Sequence, residues 1–170
     1  MANTFIKIAT VDVGSGGAAS IDFTSIPATY TDLILNLTGR FSSGAGFSLI
    51  EFNGLGTSAN FSNRILEATG SSATSFVAGN ANYAGALDGS GDTANTFSNT
   101  QFYIPNYAGS TNKSISFEAV MENNGATAYI DAGALLWSQT TAINAIKLKT
   151  HTGSYYAQYS SATLYGINNS

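Results

Sequence analysis

Most of the chain is written in one repeating pattern. Short runs in which apolar and polar side chains alternate are separated by clusters of Gly, Asn, Ser or Pro. Alternation with period two marks strands with one covered and one solvated face, and no window keeps a helical period. Phe5 to Val13 opens the series, with apolar residues on both faces near its start. Gly14-Ser15-Gly16-Gly17 forms a turn. Ala19 to Phe23 is a second strand, ended by Ile26-Pro27, because proline cannot donate to a ladder. Asp32 to Leu37 places Leu33, Leu35 and Leu37 on one face. Phe47 to Asn53 follows, with an Asn53-Gly54 turn, then Phe61 to Ala68.

Residues 70–96 are rich in Gly, Ala, Ser and Asn and read as a long loop with one short strand near Phe76-Val77. A loop of that length in a compact domain is usually functional or mobile. Beyond it, Asn99 to Ile104 runs into Pro105. Ser114 to Glu122 turns Ile115, Phe117, Ala119 and Met121 inward. Asn124-Gly125 is the strongest hairpin signal, returning into Thr127 to Trp137. Ala142 to Thr150 and Ala162 to Ile167 complete the set. This spacing of strands predicts an all-β fold, a jelly-roll-like antiparallel β-sandwich, with residues 1–170 as a single domain.

Composition sharpens the picture. Of 170 residues only 9% are charged, against ~25% in an average soluble domain. Surfaces poor in Lys and Glu lose little hydration when another protein covers them. The six cations, Lys7, Arg40, Arg64, Lys113, Lys147 and Lys149, form no cluster in a chain of net charge -4, which argues against nucleic acid as a partner. Lys147 and Lys149 alternate with Ile146 and Leu148, as on the outer face of a strand. Cysteine is absent, so disulfides, thiolate metal sites and Cys nucleophiles are excluded. The start of the chain lacks a signal-peptide pattern and no apolar run is long enough to span a bilayer, which predicts a cytosolic origin and no membrane partner.

Candidate chemistry is sparse. His151 is the only histidine, and a Ser–His–Asp arrangement would need it, but no G-x-S-x-G elbow occurs. Glu118 and Glu122 could flank a glycosidic bond, though a solvated strand face is the simpler reading. Asp88-Gly89-Ser90-Gly91-Asp92 spaces oxygen ligands as calcium loops do. That pattern breaks at Thr93, where glycine belongs, and lacks the closing Glu, so a turn is the simpler reading. Gly14 to Ala19 and Gly54 to Ala59 fit a loose G-x-G-x-x-A string, yet no helical pattern follows either, as phosphate cradling requires. The chain therefore reads as a binding protein rather than an enzyme, with no catalytic residue, metal site or cofactor assigned. The candidate contacts are aromatic: Tyr103 and Tyr107 around Pro105, Trp137, and the cluster Tyr155, Tyr156 and Tyr159. Such side chains suit subunit interfaces, sheet cores or the stacking of sugars.

Two segments carry a resemblance. Phe5-Ile6-Lys7-Ile8-Ala9-Thr10-Val11 is followed by Ile21-Asp22-Phe23-Thr24-Ser25-Ile26-Pro27 and Tyr30-Thr31-Asp32-Leu33, and the chain closes on Ala162-Thr163-Leu164-Tyr165-Gly166-Ile167. With Tyr103-Ile104-Pro105-Asn106-Tyr107 and Glu122-Asn123-Asn124 between them, these resemble a group of small proteins of tailed bacteriophages, frequent among aquatic phages. The resemblance implies a virion structural protein, a capsid decoration or a tail or fibre part, commonly trimeric, and it implies no catalytic residue. The expectation is a capsid decoration (cement) protein, assembled in the host cytoplasm and resident on the virion, acting through contacts with other virion proteins as a homotrimer. The alternative is a tail or fibre module that recognises host surface glycans through its tyrosines and the 70–96 loop.

Overall fold

The computed structural model describes residues 5–151 and 153–168. The alternating runs become twelve strands: β1 (Phe5–Asp12), β2 (Ser20–Phe23), β3 (Asp32–Gly39), β4 (Gly46–Phe52), β5 (Phe61–Ala68), β6 (Ala73–Phe76), β7 (Tyr83–Leu87), β8 (Ser98–Ile104), β9 (Lys113–Met121), β10 (Tyr129–Trp137), β11 (Ile146–Thr150) and β12 (Ser161–Ile167). They pair antiparallel throughout, in an eight-stranded sheet ordered β1-β12-β3-β8-β9-β10-β5-β6 and a four-stranded sheet ordered β2-β11-β4-β7. The two sheets pack face to face as a single-domain β-sandwich of the kind the alternation predicts.

The 70–96 segment is more ordered than the expected loop. Its one expected short strand is β6, which ends at Phe76 and pairs with β5; the departure is β7, which pairs with β4 and is buried along its whole length. Tyr83-Ala84-Gly85-Ala86-Leu87 hides this because both its faces are covered, so it has no polar alternation to read. Its small residues are needed for close approach. A Cβ on Gly85, whose φ is +89°, would lie 2.4 Å from that of Ala119 on β9. A Cβ on Gly133 would lie 1.9 Å from the Phe117 ring, so the missing side chain on β10 makes room for that ring.

Both Asn-Gly signals form turns, with different outcomes. At Asn53-Gly54 both φ angles are positive, and Phe52 and Leu55 exchange backbone hydrogen bonds across the turn. The strands it joins nevertheless go to different sheets. At Asn124-Gly125 the expected hairpin forms, β9 against β10, but through the wider connection 122–128.

Several polar groups are inside, each with a structural task. Arg40 donates to the backbone carbonyls of Gly89, Asp92, Thr93 and Thr96. The Asp88–Asp92 segment thus does wrap a cation, the chain's own guanidinium. Asp88 is buried and accepts from Ser98 Oγ at 2.8 Å and Asn123 Nδ2 at 2.7 Å, while Asp92 caps the Gly89 N–H. Lys113 continues the inner face of β9, where its Nζ donates to the carbonyls of Gly109, Gln139 and Thr141; burial pulls its pKa down. Lys147 and Lys149 lie on the outer face of β11, as expected, paired with Asp22 and Glu51.

Asp131 on β10 is the costliest of these groups. It is buried, its Oδ2 accepts from the Tyr83 hydroxyl at 2.6 Å, and its Oδ1 makes no hydrogen bond. Burial raises its pKa above the usual carboxylate range, and the Tyr83 hydroxyl and Ala86 amide offset part of the rise. The neighbouring Glu67 is raised too, by burial and then by the charge of Asp131. A carboxyl that holds its proton longer in the folded state makes stability fall as pH rises from its unfolded pKa, about 4, through the raised folded value. Asp131→Asn can still accept at one atom and donate to the Tyr83 oxygen. This variant is expected to lose that downward slope and unfold at a higher temperature at neutral pH, as read by thermal melts across pH. An unchanged slope would contradict this assignment.

Candidate functional site

The four-stranded sheet covers one face of the large sheet, and the other face is solvated. Strand register dictates what that face shows. One row across the sheet reads Tyr165, Ile34, Tyr103, Ser116, Ala134 and Arg64, and the next reads Asn36, Gln101, Glu118, Ala132, Leu66 and Ser75. In the middle of both rows β9 and β10 supply small side chains, Ser116, Ala132 and Ala134. Larger side chains on β8 and β5 stand on either side. The result is a shallow trough of about 570 Å³, with Tyr103 and Gln101 on one wall and Arg64 and Leu66 on the other.

Its polar groups are held in place. The Tyr103 hydroxyl donates to Asp32 Oδ2 at 2.8 Å, and this bond, followed by burial, raises its pKa. Asp32 also accepts the Asn106 N–H, which ties the wall to the turn after β8. Gln101 Nε2 donates to Asn36 Oδ1 at 2.9 Å. Arg64 donates to the adjacent Asn63 carbonyl. Around the trough the face carries exposed apolar side chains, Leu66 at 54% and Ile130 at 55% exposure, with Leu136 beyond. Outward positions of a solvated strand normally carry polar residues. Leu66, Ile130 and Leu136 break that rule, and the same alternation that located the strands could have flagged them. Assigning them needed the face of each strand, which only the partner strands settle.

The six aromatic candidates divide into two groups. Tyr107, Trp137 and Tyr156 are fully buried, so the reading of these three as surface contacts is corrected to core. The Tyr107 hydroxyl donates to the Pro27 carbonyl. Trp137 packs edge-on to Phe52 at 5.5 Å, with Lys113 Nζ 5.4 Å from its ring. Tyr156 packs on Phe41 and shares a 2.8 Å hydrogen bond with Ser48. The hydroxyls of Tyr107 and Tyr156 find partners inside, while the buried Trp137 Nε1–H has none.

Tyr103, Tyr155 and Tyr159 are exposed, but not together. Tyr103 is bonded to Asp32 at the start of β3, whereas Tyr155 is bonded through its backbone to Ser42 beyond the end of that strand. Ten extended residues separate the two ends by roughly 30 Å. Glu118 and Glu122 are also apart. Four strand residues place their Cα atoms about 13 Å apart. Glu122 caps the Asn124 N–H instead. His151 is exposed, its ring stacked on Phe47 at 4.1 Å. No family model matches the chain, and no curated protein is significantly similar to it.

Tyr159 is the most exposed aromatic, at 76%, and sits at φ +73°. Left-handed backbone costs a residue with a Cβ about 1–2 kcal/mol, which glycine avoids at a smaller entropic cost. Tyr159→Gly should therefore leave stability unchanged or raise it by up to about 1 kcal/mol, measured by chemical denaturation. A loss of stability of that size would show that the ring packs more than its exposure indicates.

Proposed function

We propose that the protein is a structural protein of a tailed-bacteriophage virion, a capsid decoration protein that docks on the particle through the outer face of its eight-stranded sheet. The observation that carries this reading is the make-up of that face. It is broad and built on rigid strands. Leu66, Ile130, Leu136 and Tyr103 are solvated there among Ser, Thr, Asn and Ala side chains, with Arg64 and Glu118 as the charges near its centre. Covering such a face with protein buries apolar area and strips water from few ions. The likeness of the first and last strands to small phage proteins supports the same reading. Edge strands β1 and β6 end the large sheet with unpaired backbone groups, which suits further association, here into a homotrimer.

A second reading, a tail or fibre module for host glycans, is favoured by one feature. The trough combines the aromatic ring of Tyr103 with an amide, a carboxylate and a guanidinium, a set that can stack on a sugar and bond its hydroxyls. A glycan array tests it. Hits lost on Tyr103→Ala would favour it over decoration, and an array without hits would remove it.

Particles assembled without the protein should lose resistance to heat. The double substitution Leu66→Asp with Ile130→Asp changes two side chains that are more than half exposed, so the fold should be retained. It should weaken binding to particles stripped of the protein at least about a hundredfold, or ~2.7 kcal/mol. Wild-type binding by this variant, or particles equally heat-resistant with and without the protein, would overturn the proposal.

A further inference from the structure

Beside the ring packing that joins the sheets lies a second cavity, of about 410 Å³, unconnected with the outer face. It opens beside β7, the edge of the small sheet, between Phe47 of β4 and the inner side chains Glu67 of β5 and Phe76 of β6. The connection from β6 to β7 roofs it. Asn63, buried on the inner face of β5, holds that roof: its Nδ2 donates to the carbonyls of Ala78, Asn80 and Ala81, and its Oδ1 accepts the Ala78 N–H. The walls are Phe47, Phe76, Tyr83, Tyr129 and Met121, with one carboxylate, Glu67, among them. Phe47 and Tyr83 stand 5.1 Å apart at 41°, so their rings present a corner rather than a flat stack.

The charge in this corner is uncompensated. Glu67 pairs across the strands with Asp131, which accepts from the Tyr83 hydroxyl. Among the described residues the ion pairs are Lys147–Asp22 and Lys149–Glu51, and neither acid takes part in one. Asp131 Oδ1 is sealed and unbonded. Two carboxylates beside four aromatic rings form a site of negative potential with apolar walls. A hard metal ion would need six or more oxygens, which rings do not offer, and no group of three or more metal-ligating side chains occurs among the described residues. The complementary ligand is a cation with an apolar shell, drawn to ring faces and to the carboxylate together.

We propose that this inter-sheet cavity binds a methylated ammonium group, of the kind carried by choline, between Phe47, Phe76, Tyr83 and Tyr129 with Glu67 as counter-ion. A trimethylammonium group presents only methyl groups and needs no hydrogen-bond acceptors, which fits walls made mostly of rings. A primary ammonium, such as a lysine side chain, keeps three donors that these walls leave unmet. The proposal is independent of what the outer face binds.

Isothermal titration calorimetry on the intact chain tests it with four probes: choline, tetramethylammonium, the neutral isostere 3,3-dimethylbutan-1-ol, and an Nα-acetyl-lysine amide. Choline and tetramethylammonium should bind. The neutral isostere should bind at least about tenfold more weakly, one charge contact's worth, and the lysine amide more weakly than choline. Glu67→Gln, isosteric with the native side chain, should raise the Kd for choline about tenfold without lowering the unfolding temperature. Tyr129→Leu, at a half-buried position, should also weaken choline. Absence of choline binding, equal binding of the neutral isostere, tighter binding of the lysine amide, or wild-type affinity in both variants would each overturn the proposal.

Discussion

The sandwich depends on a column of rings that crosses from one sheet to the other. Phe102 on β8 packs against Phe117 on β9 at 5.5 Å, Phe117 against Tyr83 on β7 at 6.1 Å, and Tyr83 against Phe47 on β4 at 5.1 Å. Two glycines permit it: Gly133 vacates the space that the Phe117 ring occupies, and Gly85 lets β7 press onto β9. The column stands under the middle of the large sheet, where β7, the edge of the small sheet, packs on β8, β9 and β10. The inter-sheet cavity, the strap from Asn63 and the buried Asp131 carboxyl lie beside that edge strand. The opposite face of the large sheet remains solvated, because no third layer covers it among the described residues.

The shortage of surface charge also has a structural cause. Of the six cations, Arg40 and Lys113 are spent inside, each gathering the carbonyls of a loop that has no regular ladder to satisfy it. Lys147 and Lys149 are matched to Asp22 and Glu51 on adjacent strands. Buried backbone carbonyls need donors, and a guanidinium or ammonium supplies several at once. What remains on the outer face is a polar but nearly neutral surface with a few apolar side chains. That balance underlies the proposed docking role, since such a surface is inexpensive to dehydrate.

Much of the fold was legible because one physical signal, alternation, is strong wherever a strand has one wet face. Phe61–Ala68 and the inward set Ile115, Phe117, Ala119 and Met121 came directly from it. The signal fails for β7, covered on both sides, so residues 70–96 read as loop apart from the one short strand near Phe76-Val77, where β6 ends. It is also silent on which strands share a sheet, as Asn53-Gly54 illustrates by forming a hairpin turn between strands of different sheets. The site was less legible than the fold. Aromatic type alone cannot separate Tyr155, which is outside, from Tyr156, which is inside one residue later. Nor could composition show that Glu67 and Asp131 stand in register on neighbouring strands, because that pairing joins residues far apart in the chain.

The central claim is that the broad face of the eight-stranded sheet is the working surface of a particle-bound protein. Electron cryomicroscopy of purified phage particles tests it most directly. Density for this sandwich is expected on the outside of the head, with the row through Tyr103, Ser116, Ala134 and Arg64 facing the shell and the four-stranded sheet facing solvent. Density confined to the tail or its fibres, or a head-bound copy with the eight-stranded face turned to solvent, would contradict it.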